Sequence, residues 1–319
     1  MSRISLDAIA RAAREIDPVF RQSPQYRPES LGERLGVDLV VKVETVNPIR
    51  SFKGRGADFF VRELGDPTVP LVCASAGNFG QGLAFAARRV GQRLDVFASE
   101  VANPLKVARM RAFGATVRQV GRDFDAAKAA AKEWAAAQGA FFVEDGREVA
   151  ISEGAGSIAV ELAAWPDPFD AVVVPLGNGA LLCGVATWLK AHAPATRIIG
   201  VCAEAAPSME RSWRARQPLE TARADTIADG IAVRVPIPEA VGDLQEIVDD
   251  MVLVPDAVTL EAMRLLFAHL GLVVEPAGAV GVAALLADAP RFRGMRVATI
   301  LCGSNLTPEQ VAAYQLTGA

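Results

Sequence analysis

The chain has 319 residues, 51% hydrophobic and 22% charged, which suits two modest domains or one large α/β domain and excludes a disordered chain. Its 33 Lys and Arg against 37 Asp and Glu leave a net charge of −4 with no block of like charge, so no nucleic-acid partner is expected. Two histidines, His192 and His269, give little material for a His-based triad or a His-rich metal centre.

Strand-like apolar runs occur at 38–44 (DLVVKVE), 70–76 (PLVCASA), 94–99 (LDVFAS), 115–120 (ATVRQV), 169–176 (FDAVVVPL), 197–204 (RIIGVCAE) and 296–304 (RVATILCGS). Several are continuous rather than alternating, as strands buried on both faces of a parallel sheet are. Helix-period segments lie between them, at 80–91, 123–139 and 254–271, each closing on a glycine: Gly91, Gly139 and Gly271. This alternation predicts an α/β protein of two open doubly wound sheets. The rhythm divides the chain into a small domain at 54–149, inserted in a larger one made of 1–53 and 150–319. The polar stretch from Met209 to Arg223 reads as a surface excursion.

Four cysteines (Cys73, Cys183, Cys202, Cys302) stand at no ligand-like spacing, which points to a reducing compartment and away from zinc or disulfides. No basic-then-apolar leader opens the chain and no apolar run reaches spanning length, so a cytoplasmic protein without membrane contact is expected.

Four segments carry chemistry. In ETVNPIRSFKGRGA, Lys53 sits between Phe52 and the small residues of a helix start, where an amine can be desolvated for Schiff-base formation or can simply be solvated. In CASAGNFGQG a strand ends in the turn Ser75–Asn78 and a helix begins, so first-turn amides can hold a carboxylate; an ordinary βα turn reads the same way. Gly177, Asn178, Gly179 and Ala180 open a helix after a strand, a phosphate cradle by construction. A dinucleotide site competes there, because Glu204 ends the next strand, yet Gly184 breaks the G-x-G-x-x-G register. In LCGSN, Cys302 is placed at a sheet's carboxyl edge, as ligand neighbour or as small buried hydrophobe.

Taken together, the SFK segment, the SAGN turn, the GNGA loop and the CGSN strand end, with TIADGIAV and VVEPAGAVGVAALL between the last two, resemble the fold type II pyridoxal-phosphate enzymes. The similarity is to the serine/threonine dehydratase (threonine ammonia-lyase) branch and covers nearly the whole length. It implies a tryptophan synthase β-like fold and a likeness to homodimers. It implies pyridoxal 5′-phosphate held as an aldimine on Lys53, with Phe52 against the ring, Asn78 on the phenolic oxygen and Cys302 facing the ring nitrogen. The cofactor's phosphate would lie on the amides of Gly177, Asn178, Gly179, Ala180 and Leu181, and Gly230 and Glu275 would line its far edge. Ser75, Ala76, Gly77, Asn78, Phe79 and Gln81 would form the wall for the substrate carboxylate. The implied reaction is β-elimination from a β-hydroxy L-amino acid such as L-threonine or L-serine, giving a 2-oxo acid and ammonia.

Some features depart from that branch. Asn178 and Ala180 interrupt a loop that is commonly all glycine, and a GN-type loop also occurs in threonine synthases, so a threonine-synthase-like or other replacement activity is the alternative. Phe79 stands where His is frequent. Ala76 replaces the serine that serves related racemases as second acid/base, so elimination with little racemisation is expected. Glu204, Ser208 and Glu210 keep the spacing at which some relatives place a divalent or monovalent cation, or are unrelated surface groups. The chain stops fourteen residues after Asn305, so no amino-acid-binding regulatory domain is expected. From another class, a non-catalytic nucleotide-binding protein would use the glycine loop without chemistry.

Overall fold

The structure is a computed structural model that describes residues 3–316. Its ten strands are β1 (Gln25–Tyr26), β2 (Asp38–Val43), β3 (Leu71–Ala74), β4 (Leu94–Ala98), β5 (Thr116–Gln119), β6 (Phe141–Phe142), β7 (Ala171–Pro175), β8 (Arg197–Ala203), β9 (Asp250–Val254) and β10 (Arg296–Leu301). They form two sheets, a six-stranded one in the order β1-β2-β10-β7-β8-β9 and a four-stranded one in the order β5-β4-β3-β6. All pairings are parallel except β1 with β2.

Each apolar run read from the sequence becomes a strand, and the central ones are buried on both faces. Every residue of β4 and β7 is buried. A Val or Leu fully withdrawn from water stabilises the fold by roughly 1.5–3 kcal/mol, so these short strands anchor their sheets. The helices at 123–139 and 254–271 end as expected, on left-handed Gly139 (φ 61) and Gly271 (φ 67). Three strands have no counterpart in the sequence reading. β1 and β6 are two residues long, too short for a period to show, and β9 runs through Pro255 straight into the helix Asp256–Leu270, whose pattern absorbs it.

Helix Ala180–His192 and helix Val149–Leu162 cross on glycines. A Cβ at Gly156 would lie 2.9 Å from the Gly184 carbonyl oxygen, so the two backbones touch. Gly184 therefore serves helix packing, which explains why it falls outside a dinucleotide register. His192 and His269 lie in the last turns of their helices, where His192 stacks on Trp188 and His269 Nδ1 is 2.7 Å from Ser30 Oγ.

Strand order also decides where a ligand can sit. In the large sheet the chain moves outward one way through β8 and β9, while β10 lies on the other side of β7. In the small sheet it moves outward through β4 and β5, while β6 lies on the other side of β3. A crevice opens beyond the carboxyl ends at each such reversal. The segments leaving β7 and β10, and those leaving β3 and β6, are the ones to inspect.

Candidate active site

Those four segments line one cavity of about 480 Å³. After β3, the Ser75 hydroxyl oxygen accepts from the amides of Gly77 (3.2 Å) and Gly80 (2.9 Å), folding the turn onto the start of helix Asn78–Arg89. That helix has no other side-chain cap, so the amides of Asn78 and Phe79 have no carbonyl within the helix to reach. Ala76, Gly77 and Phe79 line the cavity with them.

After β7, Gly179 takes φ +103 and leads into helix Ala180–His192, which has neither a side-chain cap nor an acid in its first turn. Gly177 is pressed against the chain opposite, since a Cβ there would lie 2.9 Å from the Gly230 carbonyl oxygen. Gly177 through Leu181 and Gly230 all face the cavity. Positive helix-end dipole and free amides make this wall an anion site.

After β10, Cys302 is held by its backbone and left neutral. Its carbonyl accepts from the Phe52 amide (3.1 Å) and the Ser51 hydroxyl (3.1 Å), and Ser51 bridges Gly303. These bonds strap the residue before Lys53 to the edge of the large sheet. Burial pushes the Cys302 thiol well above the usual thiol range, and Glu275 adds to the shift. Glu275, itself buried, is likewise raised by burial; Lys106 opposes that shift and Asp229 adds to it. It accepts from Asn78 Nδ2 (2.5 Å) and the Asn305 amide (2.9 Å), and Asn78 Oδ1 accepts from Asn305 Nδ2 (2.8 Å). Asn78 thereby keeps one amide hydrogen for the cavity.

Lys53 opens helix Lys53–Leu64 and projects into the same space. Its Nζ lies 4.8 Å from the Phe52 ring centre, 6.0 Å from that of Phe79 and 2.5 Å from Asp145 Oδ2. An amine there is wrapped by two aromatic faces and one carboxylate.

Gln81 is the exception among the expected wall residues. It is fully buried and is not brought to the cavity, because one more turn of helix carries it past the Ser75–Phe79 end. Glu204, Ser208 and Glu210 stand apart from this cavity. Glu204 is exposed, the Ser208 hydroxyl donates to the Val233 carbonyl (2.6 Å), and Glu210 pairs with Arg214. Among the described residues no cluster of three or more His, Cys, Asp or Glu could hold a metal ion. Glu204 also lies off the cavity wall, which removes the ribose ligand a dinucleotide site would need.

Sequence reading missed several charged residues of the wall, and Asp145 and Lys106 are the two nearest the Lys53 and Ser75 segments. Asp145 follows β6 and meets Lys53. Lys106, almost fully buried, pairs with Asp229, and a Cβ at Gly77 would lie 3.7 Å from its Nζ. Burial works against the Lys106 charge, but Asp229 and Glu275 outweigh it and hold the ammonium above the ordinary lysine range. Neither residue belongs to a motif; the strand order around β3 and β6 is the signal that reaches Asp145.

The chain is similar to known proteins over most of its length. Residues 16–303 match the family model described as pyridoxal-phosphate dependent enzyme. The chain is 30% identical to the biosynthetic L-threonine dehydratase of Lactococcus lactis over 95% of its own length and 75% of that protein's. It is 33% identical to the corresponding enzyme of Salmonella typhimurium, over 94% of this chain but 59% of that one, so it spans less than two thirds of that relative. Among solved structures, the processed form of threonine deaminase isoform 2 from Solanum lycopersicum superposes with a TM-score of 0.88 at 30% identity, covering 99% of this chain and 95% of the other. No helix among the described residues is long and apolar enough to cross a membrane.

Proposed function

Since the chain belongs to the family of pyridoxal-phosphate dependent enzymes, we propose that it is an ammonia-lyase acting on a β-hydroxy L-amino acid, L-threonine or L-serine, to give a 2-oxo acid and ammonia. The residues present fit the cofactor. An uncapped helix end without acids suits its phosphate, and the neutral Cys302 thiol suits an unprotonated ring nitrogen. Lys53 is the amine of the cavity wall that Phe52 and Phe79 flank, and it would carry the cofactor covalently.

Bound there, the cofactor supplies an electron sink for charge developing at the substrate's Cα. The chain supplies position and proton transfer. The Asn78 and Phe79 amides, with the Ser75 hydroxyl hydrogen, hold the substrate carboxylate at the helix start. As a free amine beside the substrate, Lys53 Nζ would take the proton from Cα. The same ammonium then returns that proton to the departing hydroxyl, which leaves as water, and the dehydrated amine product takes up water after release to give the 2-oxo acid and ammonia. Ala76 presents a methyl group to the cavity, so the turn offers no second acid at that position, and racemisation stays minor.

The observation that carries this reading is the convergence of Lys53, the Ser75 turn, the Gly177 loop and Cys302 on one cavity. It is tested with protein loaded with pyridoxal phosphate, by following ammonia and 2-oxo acid from L-threonine and L-serine, with O-phosphohomoserine alongside. Stoichiometric 2-oxo acid and ammonia from a hydroxy amino acid are expected. Turnover of O-phosphohomoserine alone would assign replacement chemistry instead.

A further inference from the structure

Asp145 has an oxygen with nothing to do. Its side chain is 10% exposed, Oδ2 accepts from Lys53 Nζ at 2.5 Å, and Oδ1 is buried and has no hydrogen-bond partner among the described residues. Leaving a buried acceptor unsatisfied is costly, because it gives up its hydrogen bonds to water for nothing. Such groups need an explanation.

The other charges on this wall are matched. Lys106 pairs with Asp229, Lys128 with Glu144, Arg234 with Asp125 (2.5 Å), and Glu275 accepts from Asn78 and Asn305. Asp145 alone among these depends on the amine that the cofactor must claim. A base acts on a carbon roughly 3–3.5 Å away, so a carboxylate that touches Lys53 Nζ and lines the same cavity can reach a substituent one bond beyond that carbon.

Resting on the lyase reading above, we infer that Asp145 is a specificity-determining residue whose carboxylate accepts a hydrogen bond from the substituent on the substrate's β-carbon. The site then favours a β-substituent that donates, a hydroxyl or an ammonium, over one that cannot. It also repels a second carboxylate at that carbon. The bond changes stay balanced. The Cα proton passes to Lys53 and the bond from Cβ to the substituent breaks with its electron pair on the substituent. A hydroxyl leaves as water with the proton returned by Lys53, whereas an ammonium leaves as ammonia and needs none.

The test uses the pyridoxal-phosphate-loaded parent and the variants Asp145→Ala and Asp145→Asn. Dissociation constants come from rapid-mixing titration of the cofactor's visible spectrum with L-serine, L-2,3-diaminopropionate, L-alanine and β-chloro-L-alanine. For Asp145→Ala the first two constants should rise about tenfold to a hundredfold, the loss of a hydrogen bond to a charged group, while the last two change by less than about twofold. Asp145→Asn keeps an acceptor without the charge, so it should restore most of the binding of L-serine but not of the diamino acid. This isosteric variant also carries the comparison if Asp145→Ala fails to fold. An equal change for all four ligands would overturn the inference and leave Asp145 a structural partner of Lys53. Because binding is read apart from turnover, a parent that releases no ammonia would contradict the lyase reading while these ratios still decide on Asp145.

Discussion

Lys53 and Arg55 stand two residues apart at the start of one helix, yet their charges are treated in opposite ways. Arg55 is completely buried and uses its whole guanidinium. It grips Glu44 through Nε and one terminal nitrogen (2.9 Å each) and Glu161 through the two terminal nitrogens (2.7 and 2.9 Å), and it reaches Ser157 and Ser23 (3.1 Å each). Lys42 adds a bond from Nζ to Glu161 (2.5 Å), so two cations meet two anions. Lys53 has one carboxylate beside it, and that carboxylate keeps an unused oxygen. A buried charge that serves only the fold is saturated, because any vacancy costs stability. The oxygen left unused beside Lys53 is the one inferred above to meet the substrate.

The contrast breaks most visibly at Lys53. Lys53→Ala should lower ammonia release by at least about a thousandfold, the combined loss of anchor and base, while the far-ultraviolet circular dichroism stays that of the parent. Retention of near-normal turnover would end the assignment. Two residues on, Arg55→Met should do the reverse. It leaves Glu44 and Glu161 without their main partner and should cost about 3–5 kcal/mol in urea unfolding, with KM unchanged in whatever remains folded.

A smaller effect sharpens the same point through pH. Burial alone would raise the Glu161 carboxyl, but Arg55 and Lys42 outweigh it and hold the group below its ordinary value of 4.5. A carboxylate with a depressed folded pKa contributes stability above the unfolded value, and that contribution fades as pH falls through the folded one. Glu161→Gln should therefore lower stability at neutral pH and flatten the decline seen below about pH 4.5 in denaturant titrations. An acid limb as steep as the parent's would assign that decline to other carboxylates. The smallest effect belongs to Cys302→Ser, which exchanges one neutral group for another and should alter kcat/KM by less than about threefold. Cys302→Asp places a charge there instead and should shift products toward transamination or racemisation, as read by chiral chromatography.

Much of this molecule was legible in the sequence, for identifiable reasons. The strands of both sheet centres announce themselves because burial on two faces demands unbroken apolar runs such as Ala171–Pro175. Lys53, the Ser75 turn and the Gly177 loop are visible through their combination and order along the chain, which resemble a known family, whereas each alone also reads as an ordinary turn or helix start. Asp145 and Lys106 were invisible, since each acquires meaning from a partner 92 or 123 residues away. The saturated cluster was hidden likewise, with Arg55 reaching Glu161 across 106 residues. Gln81 was assigned to the wall by the family resemblance, and the helix carried it past the wall's end.

The central claim is that Lys53, and not its buried neighbour Lys106, carries the cofactor. Borohydride reduction of the pyridoxal-phosphate-loaded protein, followed by peptide mass mapping, tests it most directly. The reduced phosphopyridoxyl group is expected on the peptide containing Lys53, with the label lost in Lys53→Ala. Label on Lys106, or undiminished labelling of the Lys53→Ala protein, would contradict it.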